Sequence, residues 1–83
     1  MYEANETSIK FRFGKAIRRR RRELDLSQEQ LAERSELNRS YIATIERGDK
    51  NPSLESIEKL AKALDISIAE LFAQYEIEPT IEK

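Results

Sequence analysis

The chain of 83 residues has no cysteine, no histidine and no tryptophan, and only two glycines and two prolines. Without cysteine there are no disulfides and no thiolate metal sites, a usage that suits a reducing cytoplasm. Without histidine the commonest metal ligand and the commonest general base near neutral pH are both missing. Two glycines give no phosphate-cradling loop, so neither catalysis nor a bound cofactor or metal is expected. No apolar run approaches the roughly 18 residues of a membrane span. The arginine run 18–22 precedes no signal-like apolar stretch, so the expected location is the cytoplasm. This length holds one domain, and its core is small enough that close helix packing or dimerisation should supplement it.

What is present is charge, unevenly distributed. The net value is only −1, yet residues 9–51 carry twelve basic side chains against seven acidic ones. From residue 54 to the end the ratio reverses, three basic against seven acidic. The asymmetry suggests one face for a polyanion and another for something else.

Caps and apolar spacing predict an all-α, compact five-helix fold with no strand. The first helix spans about residues 10–25, with Phe13, Ile17 and Leu24 on one stripe. Ser27-Gln28-Glu29-Gln30 is a capping-box pattern opening a second helix that buries Leu31 and Ala32. Asn38 caps a third, which buries Ile42 and Ile45 and stops at Gly48. Ser53 caps a fourth with Leu54, Ile57, Leu60, Ala61 and Leu64 in helical period, and Ser67 opens a fifth that buries Ile68, Leu71 and Phe72. The expected organisation is a flexible arm over residues 1–8, a domain over 9–75 and a tail over 76–83.

The second and third helices are short and separated by Glu36-Leu37-Asn38. So short a turn forces a steep crossing and makes the third helix project its N-terminal residues as one unit. Such a helix fits the major groove of B-form DNA and reads base edges from its first turns. Arg39, Ser40, Tyr41, Thr44 and Arg47 would be exposed there. Arginine is the best single reader of guanine, through paired bonds to O6 and N7.

At these residues the chain resembles the phage-repressor/Cro-like (XRE) helix-turn-helix family. The resemblance runs through Phe13-Gly14-Lys15-Ala16-Ile17-Arg18, Leu26-Ser27-Gln28-Glu29-Gln30-Leu31-Ala32, Arg39-Ser40-Tyr41-Ile42, Ile45-Glu46-Arg47-Gly48, Asn51-Pro52-Ser53-Leu54 and Ala69-Glu70-Leu71-Phe72. It implies a transcription regulator that binds double-stranded DNA as a homodimer on a palindromic operator. By position, Arg39, Ser40 and Thr44 match the base-facing residues. Gln28, Asn38, Tyr41, Lys50 and Asn51 match residues at the sugar-phosphate backbone, and Gln28 also braces the reading helix. Arg21 and Glu46 match a buried ion pair, which accounts for a glutamate among apolar positions. Within the family the chain resembles both phage- or plasmid-type repressors and the controller proteins of restriction–modification systems, and no small-molecule effector domain is evident. The alternative is an antitoxin or adaptor that holds a protein partner through its acidic half.

Two positions depart from the family pattern: Glu36 stands where glycine is usual, and Arg20 where leucine is common. Other features have bland readings beside functional ones. Most of the arginine run 18–22 reads as a solvated face, since consecutive residues circle the helix. Glu29 and Glu33 are either ordinary solvated carboxylates or, as the resemblance implies, a contact for RNA polymerase. Ile9, Phe11, Ala69, Ala73, Tyr75 and Ile77 remain after the core is filled. Of these, Ala69, Ala73, Tyr75 and Ile77 are the candidate dimer interface, although Tyr75 and Ile77 would equally fold back on the first helix.

Overall fold

The computed structural model describes residues 8–77, which form five helices and no strand. They are α1 (Ile9–Glu23), α2 (Gln28–Ser35), α3 (Arg39–Glu46), α4 (Leu54–Ala63) and α5 (Ile68–Gln74). Every one starts on a polar cap: Ser8, Ser27, Asn38, Ser53 and Ser67 each accept a hydrogen bond from a backbone N–H of the first turn. Such a cap contributes about 1 kcal/mol. At Ser27 and Ser67 the box closes, because the side chains of Gln30 and Glu70 accept from the cap's own N–H. Residues 1–7 of the expected flexible arm and residues 78–83 of the expected tail lie outside the described residues.

Helix α1 packs on α3, α2 packs on α3 and α4, and α4 packs on α5. Ile17, Leu31, Ile42, Ile45, Leu60, Leu64, Leu71 and Ile77 are fully buried and form the centre of one core. Phe13 and Phe72 join α1 to α5 with ring centroids 5.9 Å apart. Gly14 lies where α1 crosses the end of α3; a Cβ there would sit 2.2 Å from the Ile45 carbonyl oxygen. Only glycine lets these two backbones meet. No helix among the described residues is long and apolar enough to cross a membrane.

The helix ends show how the departures are accommodated. Glu36 keeps the left-handed turn usual for glycine, at φ 62°, so the short connection between α2 and α3 has its expected shape despite the side chain. Asp25, Asp65 and Glu76 adopt the same conformation after α1, α4 and α5. Arg20 does not lie in the core; its guanidinium donates to the carbonyls of Leu64 and Asp65 at 2.9 and 3.0 Å. It thereby satisfies acceptors left free at the end of α4 and places a cation at that helix's negative pole.

Three expectations are corrected. The domain does not end at residue 75: Ile77 is fully buried, with its carbonyl held by Arg12 at 2.6 Å. Ile77 therefore belongs to the core and offers no surface for a dimer interface. Tyr75 also folds back on α1, its hydroxyl donating to Glu23 and its ring lying under Arg19. That bond, more than the nearby arginines, holds the Glu23 carboxyl below its usual pKa. Lastly, Leu54 and Ile68 are exposed, at 83% and 44%. Each is the first residue after a serine cap, as is Ile9 at 50%. A helical side chain leans toward the preceding turn, and at the first position there is none.

Candidate nucleic-acid interface

Helix α3 is held by its inward side chains and leaves its outer ones free. Ile42 and Ile45 are buried, and Glu46 joins them with its carboxylate almost wholly out of solvent. That carboxylate is bound from three sides. Arg21 reaches it with two bonds, Nε to Oε2 at 2.7 Å and a terminal nitrogen to Oε1 at 3.0 Å. Gln28 donates its side-chain amide to Oε1 at 3.0 Å. Arg18 approaches the same oxygen from the solvent side, with Nε at 3.8 Å. A third Arg21 bond, to the Leu26 carbonyl at 2.8 Å, fixes the segment leading into α2. The hydrogen bond to Glu46 raises the Arg21 pKa against the opposing effect of burial. Among the described residues no buried side-chain polar atom lacks a partner. A planar two-bond pair fixes orientation as well as distance. One carboxylate thus ties α1, the start of α2 and the end of α3 into a single rigid unit.

On the outer side, Arg39 and Ser40 are exposed in the first turn of α3, with Thr44 partly exposed one turn on. No hydrogen bond or ion pair holds the Arg39 guanidinium among the described residues, so its donor fork is open. Thr44 donates its hydroxyl proton to the Tyr41 carbonyl at 2.7 Å, which leaves its oxygen to accept and its methyl to make apolar contact. Asn38 spends its side-chain oxygen on the Ser40 N–H at 2.7 Å and keeps its NH2 free to donate. Lys50 and Asn51 lie in the exposed loop that follows α3. Tyr41 is different. It is partly buried, and its one proton goes to Ser56 at 3.0 Å, tying α3 to α4; a bond to phosphate would have to replace that one. Arg47 is drawn aside by Asp49 at 3.0 Å. Glu29 and Glu33 are exposed on α2 and line one shallow depression with Leu37 and Arg39.

This arrangement of α2, a three-residue turn and α3 lies within a match to a family of known proteins. Residues 17–71, well over half the chain, align with the helix-turn-helix family. The chain belongs to that family. Control protein C.MunI from a Mycoplasma species is 44% identical over 71 residues, covering 84% of this chain and 96% of that protein. Among solved structures, the restriction-modification controller protein C.AhdI from Aeromonas hydrophila is 51% identical with a TM-score of 0.74, over 76% of this chain and 96% of its own. C.Esp1396I bound to a 19 base pair DNA duplex is 32% identical with a TM-score of 0.78, over 83% and 92% of the two chains.

In this helix-turn-helix unit the arginine run 18–22 is less idle than its composition implies. Arg19 stacks on Tyr75 and pairs with Glu23 at 3.4 Å, Arg20 caps α4, and Arg21 holds Glu46. Sequence reasoning assigns most of the run to a solvated face because, apart from Glu23 and the Leu26 carbonyl, the partners are 25 to 56 positions away, where no local pattern shows them. Among the described residues no group of acidic side chains is placed to hold a metal ion.

Proposed function

We propose that this chain is a sequence-specific, DNA-binding transcription regulator that occupies a palindromic operator as a homodimer. The observation that carries the reading is the Glu46 hub: it fixes α3 rigidly from behind while Arg39 and Ser40 stand uncommitted in front and Thr44 keeps its oxygen and methyl open. Arg39 pairs with guanine, Thr44 contacts an adjacent base, and Gln28, Asn38, Lys50 and Asn51 hold the phosphates on either side. The similarity to controller proteins, one of them solved with duplex DNA, supports the same reading. Its place of work is the cytoplasm.

One reading helix covers too few base pairs to single out a site in a genome, and two-fold symmetry doubles the contacts. The pairing surface we favour is not the C-terminal segment expected from sequence. Leu54 lies one turn from Ile57, and Ile68 one turn from Phe72; Ile57 and Phe72 line a shallow apolar cleft with Ile9, Phe13 and Pro52. Two copies joined by these first-turn side chains cover the large exposed hydrophobics of α1, α4 and α5. Ala69 and Ala73, exposed on α5, lie at the edge of such an interface.

Selection of bound duplexes from a random pool, followed by titration, tests the reading. A single palindromic family bound far more tightly than random DNA supports it. Equal and weak affinity for selected and random duplexes overturns it, and co-purification with a protein ligand would then favour the adaptor reading. Glu29 and Glu33 support a second role at the same promoter. Neither is paired with a cation among the described residues, so both are open to RNA polymerase. Glu29→Gln with Glu33→Gln should preserve operator affinity and reduce activation in a reconstituted transcription assay; unchanged activation removes this role.

A further inference from the structure

The Glu46 hub contains one more cation than it uses. Arg21 alone satisfies the carboxylate's charge and both its oxygens, and Gln28 fills a further acceptor site. Arg18 faces the same carboxylate at 3.8 Å, close enough for attraction but outside hydrogen-bond range. Its side chain is 47% exposed, against 1% for Glu46. Two guanidinium charges therefore share one carboxylate, and the surplus charge lies at the solvent edge beside the Gln28 amide. Arg22 is one turn further along the same face of α1; it is exposed, and no hydrogen bond or ion pair holds it among the described residues. Like charges at this spacing repel one another on an open helix. A phosphate beside them relieves that repulsion.

We infer that Arg18 is a phosphate-binding residue of the DNA interface, poised beside Gln28 by its loose pairing with Glu46. The inference rests on the DNA-binding reading above. Moving from Glu46 to a phosphate costs Arg18 no hydrogen bond, and Glu46 stays fully paired when it leaves. The carboxylate thus has two tasks: with Arg21 it holds the fold, and with Arg18 it keeps a long, flexible cation within reach of the backbone. Arg19, Arg20 and Arg21 are excluded from this role by their own partners.

The test is a salt titration of wild type, Arg18→Gln and Arg19→Gln on the selected operator and on a random duplex of equal length, with melting temperatures for all three. Removing one phosphate contact should make the slope of log affinity on log salt about 0.9 shallower per subunit. Between 50 and 200 mM salt, wild-type affinity should then fall about 3.5-fold further per subunit than that of Arg18→Gln. The variant should weaken on both duplexes by the same factor, with an unchanged melting temperature, while Arg19→Gln keeps the wild-type slope. A wild-type slope for Arg18→Gln, with or without a lower melting temperature, overturns the inference: Arg18 would then be idle or a mere prop for Glu46. The same shallower slope for Arg19→Gln also overturns it, because a diffuse field would explain both. Failure of the wild type to prefer its selected duplex removes the DNA reading itself.

Discussion

Two residues with unusual surroundings carry the local energetics. Glu46 is buried and charged, and it tolerates burial only because Arg21 and Gln28 surround it. Removing one member of such a pair strands the other, at a cost of roughly 3–5 kcal/mol. Glu46→Ala should therefore lower the melting temperature sharply, read by circular dichroism, before any change in base preference is considered. An unchanged melting temperature would show that the pair does not hold the fold. Glu36 works in the opposite direction. A left-handed non-glycine residue costs roughly 1–2 kcal/mol, whereas glycine brings roughly 0.5–1 kcal/mol of extra backbone entropy to lose. Glu36→Gly should accordingly stabilise the protein by about 0.5–1 kcal/mol in urea unfolding; a loss of stability would mean the Glu36 side chain contributes something the turn geometry does not reveal.

At the scale of elements, the packing of α1 across α3 decides where the reading helix sits. Gly14 has no room for a side chain, because the obstacle is the Ile45 and Glu46 backbone and not a movable group. Gly14→Ala must push the two helices apart, and overpacking against backbone costs about 3 kcal/mol or more. Urea unfolding should show that loss; near-wild-type stability would mean that α1 shifts freely. The helices themselves were legible in the sequence, since serine and asparagine caps, two capping boxes and a 3.6-residue period are all local signals. The Arg21–Glu46 pair was legible only through family resemblance. First-turn residues were misread because a period treats Leu54 and Ile68 like any other apolar position, though no preceding turn lies beneath them. The role of Arg20 was not legible, and the sequence left Tyr75 and Ile77 open between fold-back and interface, because each depends on which helix lies opposite.

On the scale of the whole molecule, one face of the helix-turn-helix domain carries polar groups free to bind and another carries exposed apolar side chains. The second face is the dimer surface we propose: Leu54→Glu should shift sedimentation from dimer to monomer and weaken operator binding, while the isolated fold survives because Leu54 is 83% exposed. A dimer of unchanged strength would place the interface elsewhere. The first face is the central claim, and Arg39 is its proposed base reader. The decisive measurement is the affinity of wild type and Arg39→Ala for the selected operator and for every single base-pair change within one half-site. The account predicts that Arg39→Ala loses about 1–3 kcal/mol on the operator and becomes indifferent to one base pair per half-site, a G·C pair, while preferences elsewhere persist. An Arg39→Ala variant that weakens on all sequences alike and keeps every base preference would contradict it.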